Sequence, residues 1–419
     1  MQIQLKNKEF KAQISLPGSK SISNRALMIR AYAKLDKMVI NQLSEADDTR
    51  MLIKNLKQIN ECVSSEIPSV IDCGNAGTVF RFLVTFLAST SGTWMLTGSD
   101  RMKTRPVADL VDGLRLMGAK IHYAENEGFP PLKIIGKELE GGKTVVSMEK
   151  SSQFASSLVL AAPIWKNGLE LHLSGNLSSM PYLEMSLQLM LHYGAKVIVN
   201  GRIIHVLPVR YRSAPLNIEP DWSSAAFWYE IVALSNGGEI LLKGLSLQSL
   251  QGDKIMTSMF SDLGVESFQE PDGLLIFKTG KIASELKFNL QNFPDMLPSL
   301  VATCAGLGLN ARFEGLENLK YKESDRTAAL QQQMLKLGCR FEKRSEGVFD
   351  LFSKKHVFTK DSYHFQTYSD HRMAMAFAPL ALVLGNITIE NPEVVEKSYP
   401  TYWTELKTSG AVSFSNENV

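Results

Sequence analysis

Cysteine is scarce in this 419-residue sequence. Cys62, Cys73, Cys304 and Cys339 lie far apart, and no two form a Cys-x-x-Cys pair. That spacing argues against a disulfide framework or a zinc site and fits reduced thiols in a cytosol. Long apolar runs are missing too. The run Ala374 to Leu384 has eleven residues and contains Pro379, which is too short to cross a bilayer. Neither sign of charge is in excess. The 45 Lys and Arg against 43 Asp and Glu leave a net charge of +2, so the balance calls for neither nucleic acid nor an anionic membrane surface. No Walker loop, dinucleotide fingerprint, Gly-x-Ser-x-Gly elbow or metal-ligand spacing occurs. Met1–Lys6 has no basic stretch followed by an apolar run, so no secretory leader and a cytoplasmic location are expected.

What is present is an ordinary globular composition, 44% hydrophobic and 21% charged, in a chain long enough for two full cores. Helix-like segments ending in Gly or Asn, each followed by a strand-like run, recur at Asn60, Gly118, Gly194, Gly264, Gly338 and Gly410. The intervals of 58 to 76 residues are too long for a solenoid and suit six copies of a small α/β unit. Six copies suggest two domains of three. One boundary falls at Pro17-Gly18 and the other in the polar, proline-containing stretch Ser213–Pro220. The reading is an inserted domain, 18–218, and a second domain from 1–17 plus 219–419. The first strand, Ile3 to Leu16, would then pack with the C-terminal half.

Several turns carry residues suited to anions. Pro17-Gly18-Ser19-Lys20-Ser21-Ile22-Ser23-Asn24-Arg25 breaks the chain and starts a helix, with Ser19, Ser21 or Ser23 as cap. Its free N–H groups, Lys20 and Arg25 together favour phosphate or carboxylate. Asp72–Thr78 is a Gly-rich turn before an apolar helix, and Gly98–Pro106 puts three cations into six positions. Ser151-Ser152-Gln153 and Ser178-Ser179 supply hydroxyls and an amide at helix starts. Asp295, in Asn292–Pro298, is either a helix cap or a general base. In Asn318–Arg326, Lys322 and Arg326 are four apart and on a helix would share a face, flanked by Glu323 and Asp325. Ser369-Asp370-His371-Arg372 opens an otherwise small and apolar helix, and Lys397 stands alone near the end. Together these make a site for small substrates with several negative charges.

The ordered set Pro-Gly-Ser-Lys-Ser-x-Ser-Asn-Arg, Gly-Asn-Ala-Gly-Thr, Arg-Met-Lys-x-Arg-Pro, Lys-Glu-Ser-Asp-Arg and Asp-His-Arg-Met-Ala-Met resembles the 5-enolpyruvylshikimate-3-phosphate synthase family, from Pro17 to Pro400. The resemblance implies an α/β (α+β) chain folded as a two-domain inside-out α/β barrel. Each domain would hold three βαβαββ units, with the active site in an interdomain cleft that closes over the substrates. It implies transfer of the enolpyruvyl group of phosphoenolpyruvate to shikimate 3-phosphate, with no metal or organic cofactor. The partners would be those two small molecules, with no nucleic acid and no membrane, and a monomer is expected. Lys20, Ser21, Arg25, Ser151, Ser152, Gln153, Ser179, Asp295, Asn318 and Lys322 would meet shikimate 3-phosphate. Lys20, Gly77, Arg101, Gln153, Arg326, Arg372 and Lys397 would meet phosphoenolpyruvate. Asp295 would be the base on the attacking hydroxyl, Glu323 would exchange the proton at the methylene carbon, and His371 would support Glu323. Lys20 would lie between the two substrates. Glyphosate, an inhibitor of the family that competes with phosphoenolpyruvate, would lie against Gly77.

Two departures from relatives stand out: Phe82 follows Arg81 where many have proline, and Met180 stands where some have lysine. A UDP-N-acetylglucosamine enolpyruvyl transferase would carry a cysteine between Ser99 and Thr104, and none is there. A non-catalytic metabolite-binding protein of the same architecture is a third reading. Asp295 and Glu323 beside the binding cations argue against it.

Overall fold

The computed structural model describes residues 1–62, 67–353 and 361–415. The chain divides into two compact units, Lys20–Ile218 and Met1–Ser19 with Glu219–Val419. Each has its own hydrophobic core.

Among the described residues one topology recurs in five four-stranded sheets. In the inserted unit, Ser69–Asp72 runs parallel to Gly92–Thr97, which pairs antiparallel with Leu132–Gly136 and through it with Lys120–Tyr123. Gly142–Ser147, Leu169–Ser174, Ile203–Val206 and Val197–Asn200 repeat the pattern. The discontinuous unit has three such sheets, whose parallel pairs are Lys11–Ser15 with Glu239–Lys243, Lys287–Asn289 with Ala311–Glu314, and Tyr363–Phe365 with Asn386–Ile389. The sixth copy is abbreviated among the described residues to the parallel pair Ile40–Asn41 and Leu216–Asn217.

The N-terminal stretch expected as one strand is two, Gln2–Leu5 and Lys11–Ser15, in different sheets. The chain turns between them, where Asn7 Oδ1 accepts the Glu9 N–H at 3.0 Å. Gln2–Leu5 lies between Asn386–Ile389 and Val412–Phe414, antiparallel to both. The glycines at 118, 194, 338 and 410 do follow helices with positive φ. Asn60 instead lies within helix Asp47–Glu61, and Gly264 sits inside strand Leu263–Glu270, where the register shifts.

Four of the helices that lead into the second strand of a parallel pair are buried almost all round, as a helix surrounded by protein is. Gly77–Ala88 is buried except for Thr78, Ser152–Ala161 except for Gln153, and Trp222–Leu234 except for Ser223; His371–Phe377 is buried throughout. The exceptions stand in the first turn, so each such helix offers its polar chemistry only at its N-terminus. No helix among the described residues is long and apolar enough to cross a membrane.

Candidate active site

In the inserted unit, Lys20 is the first residue of helix Lys20–Ala33. Its Nζ lies 2.9 Å from Asp48 Oδ2, and both side chains are largely buried. Asp48 stands in the first turn of helix Asp47–Glu61, where the helix dipole favours a carboxylate. Arg25, one turn past Lys20, is buried. Its Nε donates to Ser186 Oγ (2.7 Å), Nη1 to the Ser21 carbonyl (2.9 Å) and Nη2 to the Tyr182 carbonyl (3.0 Å). Its guanidinium carbon is 5.6 Å from the centroid of the Phe82 ring. All these partners are neutral, and burial pushes the guanidinium down to about 10.

Gly77 opens helix Gly77–Ala88, and a β-carbon there would meet the guanidinium of Arg105. Arg105 is buried, whereas Arg101 is half-exposed, with Nη1 3.5 Å from Thr104 Oγ1. Of the arginines in Gly98–Pro106, it is therefore Arg105 that packs against the glycine turn. Ser151 caps helix Ser152–Ala161 by accepting the Gln153 N–H at 3.2 Å. The Gln153 amide donates to Thr78 Oγ1 (2.8 Å) and accepts from Arg81 Nη1 (2.7 Å). The two half-buried first-turn residues of the two buried helices thus touch. Ser152 is buried. Ser179 precedes helix Met180–His192 at φ +56°, a left-handed conformation that costs a non-glycine residue roughly 1–2 kcal/mol.

In the discontinuous unit the charges gather around Arg326. Its Nε lies 2.9 Å from Asp370 Oδ2, Nη1 lies 2.7 Å from Asp295 Oδ1, and Nη2 lies 3.2 Å from Glu323 Oε2. Asp295 also receives Arg372 Nη2 at 3.2 Å and Lys322 Nζ at 3.4 Å, and Glu323 receives Lys397 Nζ at 3.2 Å. Burial by itself would raise the Asp295 carboxyl. Arg372, Lys322 and Arg326 outweigh it and hold that carboxyl well below the usual range. Asp370 is wholly buried and caps helix His371–Phe377, accepting the Arg372 N–H at 3.0 Å and the Ser324 hydroxyl at 3.0 Å. His371 Nδ1 lies 3.7 Å from Asp370 Oδ1. Asn318 is buried, and its Oδ1 has no hydrogen-bond partner among the described residues.

Lys322 and Arg326 do not share a helix face, as their spacing suggested. The helix runs Arg326–Leu335, because Asp325 caps it by accepting the Ala328 N–H at 3.1 Å. Lys322 lies outside it, and the two cations meet at Asp295. Sequence reasoning gave no role to Asp48, Arg105 or Asp370. For Asp370 a signal was available, since an acid immediately before an apolar helix is a capping position. The pairing of Lys20 with Asp48 joins two turns 28 positions apart and leaves no local mark.

The family model EPSP synthase (3-phosphoshikimate 1-carboxyvinyltransferase) matches residues 5–406. A 3-phosphoshikimate 1-carboxyvinyltransferase of Bacteroides fragilis is 43% identical over 403 residues, covering 96% of each chain. That of a Sulfurovum species is 34% identical over 425 residues, covering 95% of this chain and 96% of its own. An EPSP synthase structure from Acinetobacter baumannii superimposes with a TM-score of 0.73 at 23% identity, covering 99% of this chain and 100% of its own. The fold is thus the two-domain inside-out α/β fold of those structures. With the match running through nearly the whole chain, this protein belongs to the EPSP synthase (3-phosphoshikimate 1-carboxyvinyltransferase) family.

Proposed function

We propose that this chain transfers the enolpyruvyl group of phosphoenolpyruvate to the 5-hydroxyl of shikimate 3-phosphate and releases phosphate, in the shikimate pathway to chorismate and aromatic amino acids. The observation that carries the reading is the Arg326 guanidinium, which binds Asp295 and Glu323 by its two terminal nitrogens. Two carboxylates on one cation are what the chemistry requires. The enol ether carbon becomes electrophilic only as its methylene is protonated, and the attacking hydroxyl must lose its proton as the C–O bond forms. Glu323, entering the step as the carboxylic acid after taking a proton from solvent, delivers the first proton, and Asp295, as the carboxylate, accepts the second. The reverse loss of a methyl proton then expels phosphate and restores the double bond.

Arg326, Arg372, Lys397 and Lys20 hold the phosphate and carboxylate of phosphoenolpyruvate and stabilise the tetrahedral intermediate. Arg105 joins them in place of Arg101, because it is the buried guanidinium against Gly77. Arg25, with neutral partners only, and Ser21, Ser151, Ser152, Gln153 and Ser179 receive shikimate 3-phosphate. Asn318, with its unpartnered buried oxygen, and Lys322 meet its shikimate side. His371, beside Asp370, steadies the turn that carries Arg372. The test is phosphate release with both substrates, with the product identified by phosphorus NMR. Release that does not depend on shikimate 3-phosphate, or none at all, would overturn the reading.

A further inference from the structure

Every cation of the discontinuous unit's cluster is paired with a carboxylate, but the carboxylates are held in two different ways. Asp370 has no exposed side-chain surface. Both of its oxygens are engaged, by Arg326 Nε, the Ser324 hydroxyl, the Arg372 N–H and, at 3.4 Å, Arg326 Nη2. It is a fixed counter-ion, locked by its capping role. Asp295 and Glu323 keep 19% and 13% of their side-chain surface. Asp295 meets Arg326 through Nη1, which Asp370 does not touch, and Glu323 through Nη2, which it shares with the longer Asp370 contact. The remaining cations, Lys322, Arg372 and Lys397, close on these same two carboxylates.

An incoming phosphate or carboxylate seeks the donors that Asp295 and Glu323 already hold: the two Nη atoms of Arg326, the Arg372 fork and the Lys397 ammonium. We propose that Asp295 and Glu323 occupy the anion seats of this site, and that phosphoenolpyruvate binds by exchange, taking their cations and freeing both carboxylates for proton transfer. This rests on the reading of the two acids as the proton-transfer pair. Exchange answers a difficulty in that reading. A carboxylate held by three cations is a poor base, and Asp295 becomes a useful one only when some of those cations turn to another anion. The device also makes the site selective. Chloride offers one charge and one contact against a carboxylate already in place, whereas a molecule bearing a phosphate and a carboxylate replaces both residents at once.

A seat blocked by a resident carboxylate lowers apparent affinity by the fraction of time it stays blocked. Removing the resident's charge should therefore tighten anion binding, the reverse of the usual result of altering a site residue. The experiment is calorimetric titration of the full-length protein with inorganic phosphate and, separately, with phosphoenolpyruvate, without shikimate 3-phosphate. Asp295→Asn and Glu323→Gln are compared with the parent protein. Occupancy of the seat for nine-tenths of the time predicts about tenfold tighter binding in at least one variant. Unchanged or weaker binding of both anions in both variants overturns the exchange.

Thermal melting covers the case of a poorly folded variant. Phosphate should raise the melting temperature of Asp295→Asn more than that of the parent, and an equal or smaller rise counts against the proposal. Turnover of the parent with both substrates is measured alongside. Turnover without tighter binding in the variants sinks the exchange alone. A parent that binds phosphate but does not turn over sinks the functional reading and leaves the exchange to be judged by the titration.

Discussion

Gly77 and Arg105 are packed so closely that no side chain fits between them. A β-carbon on Gly77 would stand 2.6 Å from Arg105 Nη1 and 2.7 Å from its Cζ and Nη2. Real β-carbons essentially never come within 3.0 Å of another heavy atom, so any substitution moves the guanidinium. Gly77→Ala should raise the KM for phosphoenolpyruvate through that shift. It should raise the glyphosate inhibition constant further, because the longer inhibitor loses both the arginine and the space. Inhibition by glyphosate at several phosphoenolpyruvate concentrations, in parent and variant, measures both. Equal loss of inhibitor and substrate would leave the arginine shift and remove the steric selectivity, and an insensitive parent would remove the premise.

Asp295→Asn and Glu323→Gln should each lower kcat by roughly 10²–10⁴-fold, the usual worth of a positioned proton-transfer group. Binding of shikimate 3-phosphate, followed by calorimetry, should change far less. Near-normal turnover in either variant would cancel that residue's role.

Arg25 is charged, buried and bound by neutral acceptors, with the Phe82 ring beside it. A desolvated cation–π contact contributes up to about 2 kcal/mol. Phe82→Leu, which keeps bulk and loses the ring, should raise the KM for shikimate 3-phosphate about two- to tenfold, with kcat and the KM for phosphoenolpyruvate nearly unchanged. Phe82→Tyr should restore it. A change confined to the phosphoenolpyruvate KM would contradict the pairing.

Glu230, wholly buried on helix Trp222–Leu234, accepts the Ser299 hydroxyl at one carboxyl oxygen (2.9 Å), and the other has no partner among the described residues. Burial raises its carboxyl well above the usual range, so the folded protein holds this proton more tightly than the unfolded chain does. The stabilisation is complete below the unfolded value near 4.3 and is lost as pH rises toward the folded one. Melting temperatures measured between about pH 5 and 8 should therefore fall more steeply for the parent than for Glu230→Gln, with each pH unit worth up to about 1.4 kcal/mol. Parallel curves would mean that the carboxyl titrates alike in both states.

Much of the site was legible because its signals are local. Ser151 and Gly77 stand at helix starts that their own neighbours dictate, and the chemistry sits in those first turns. Local sequence cannot choose where packing decides between equivalent candidates. Arg101 and Arg105 are chemically identical and four positions apart, and only burial distinguishes them. Lys322 and Arg326 had helical spacing, yet one capping aspartate starts the helix after Lys322. For the fold, the helix–glycine–strand rhythm revealed the repeat. It could not reveal that, among the described residues, the copy holding Ile40–Asn41 keeps two strands, since its partner, Leu216–Asn217, lies far along the chain.

The strand Gln2–Leu5, held between Asn386–Ile389 and Val412–Phe414, sets an order of events during synthesis. Lys20–Ile218 is complete as a contiguous segment before Glu219 is made, so that unit can fold while the chain is still growing. Gln2–Leu5 is made before all of Lys20–Ile218 and waits until Asn386–Ile389 and Val412–Phe414 have been made for both of its neighbours. Through that interval its two hydrogen-bonding edges are open to other partners. Of the strands among the described residues, it is the one whose correct pairing depends most on later parts of the chain arriving in time.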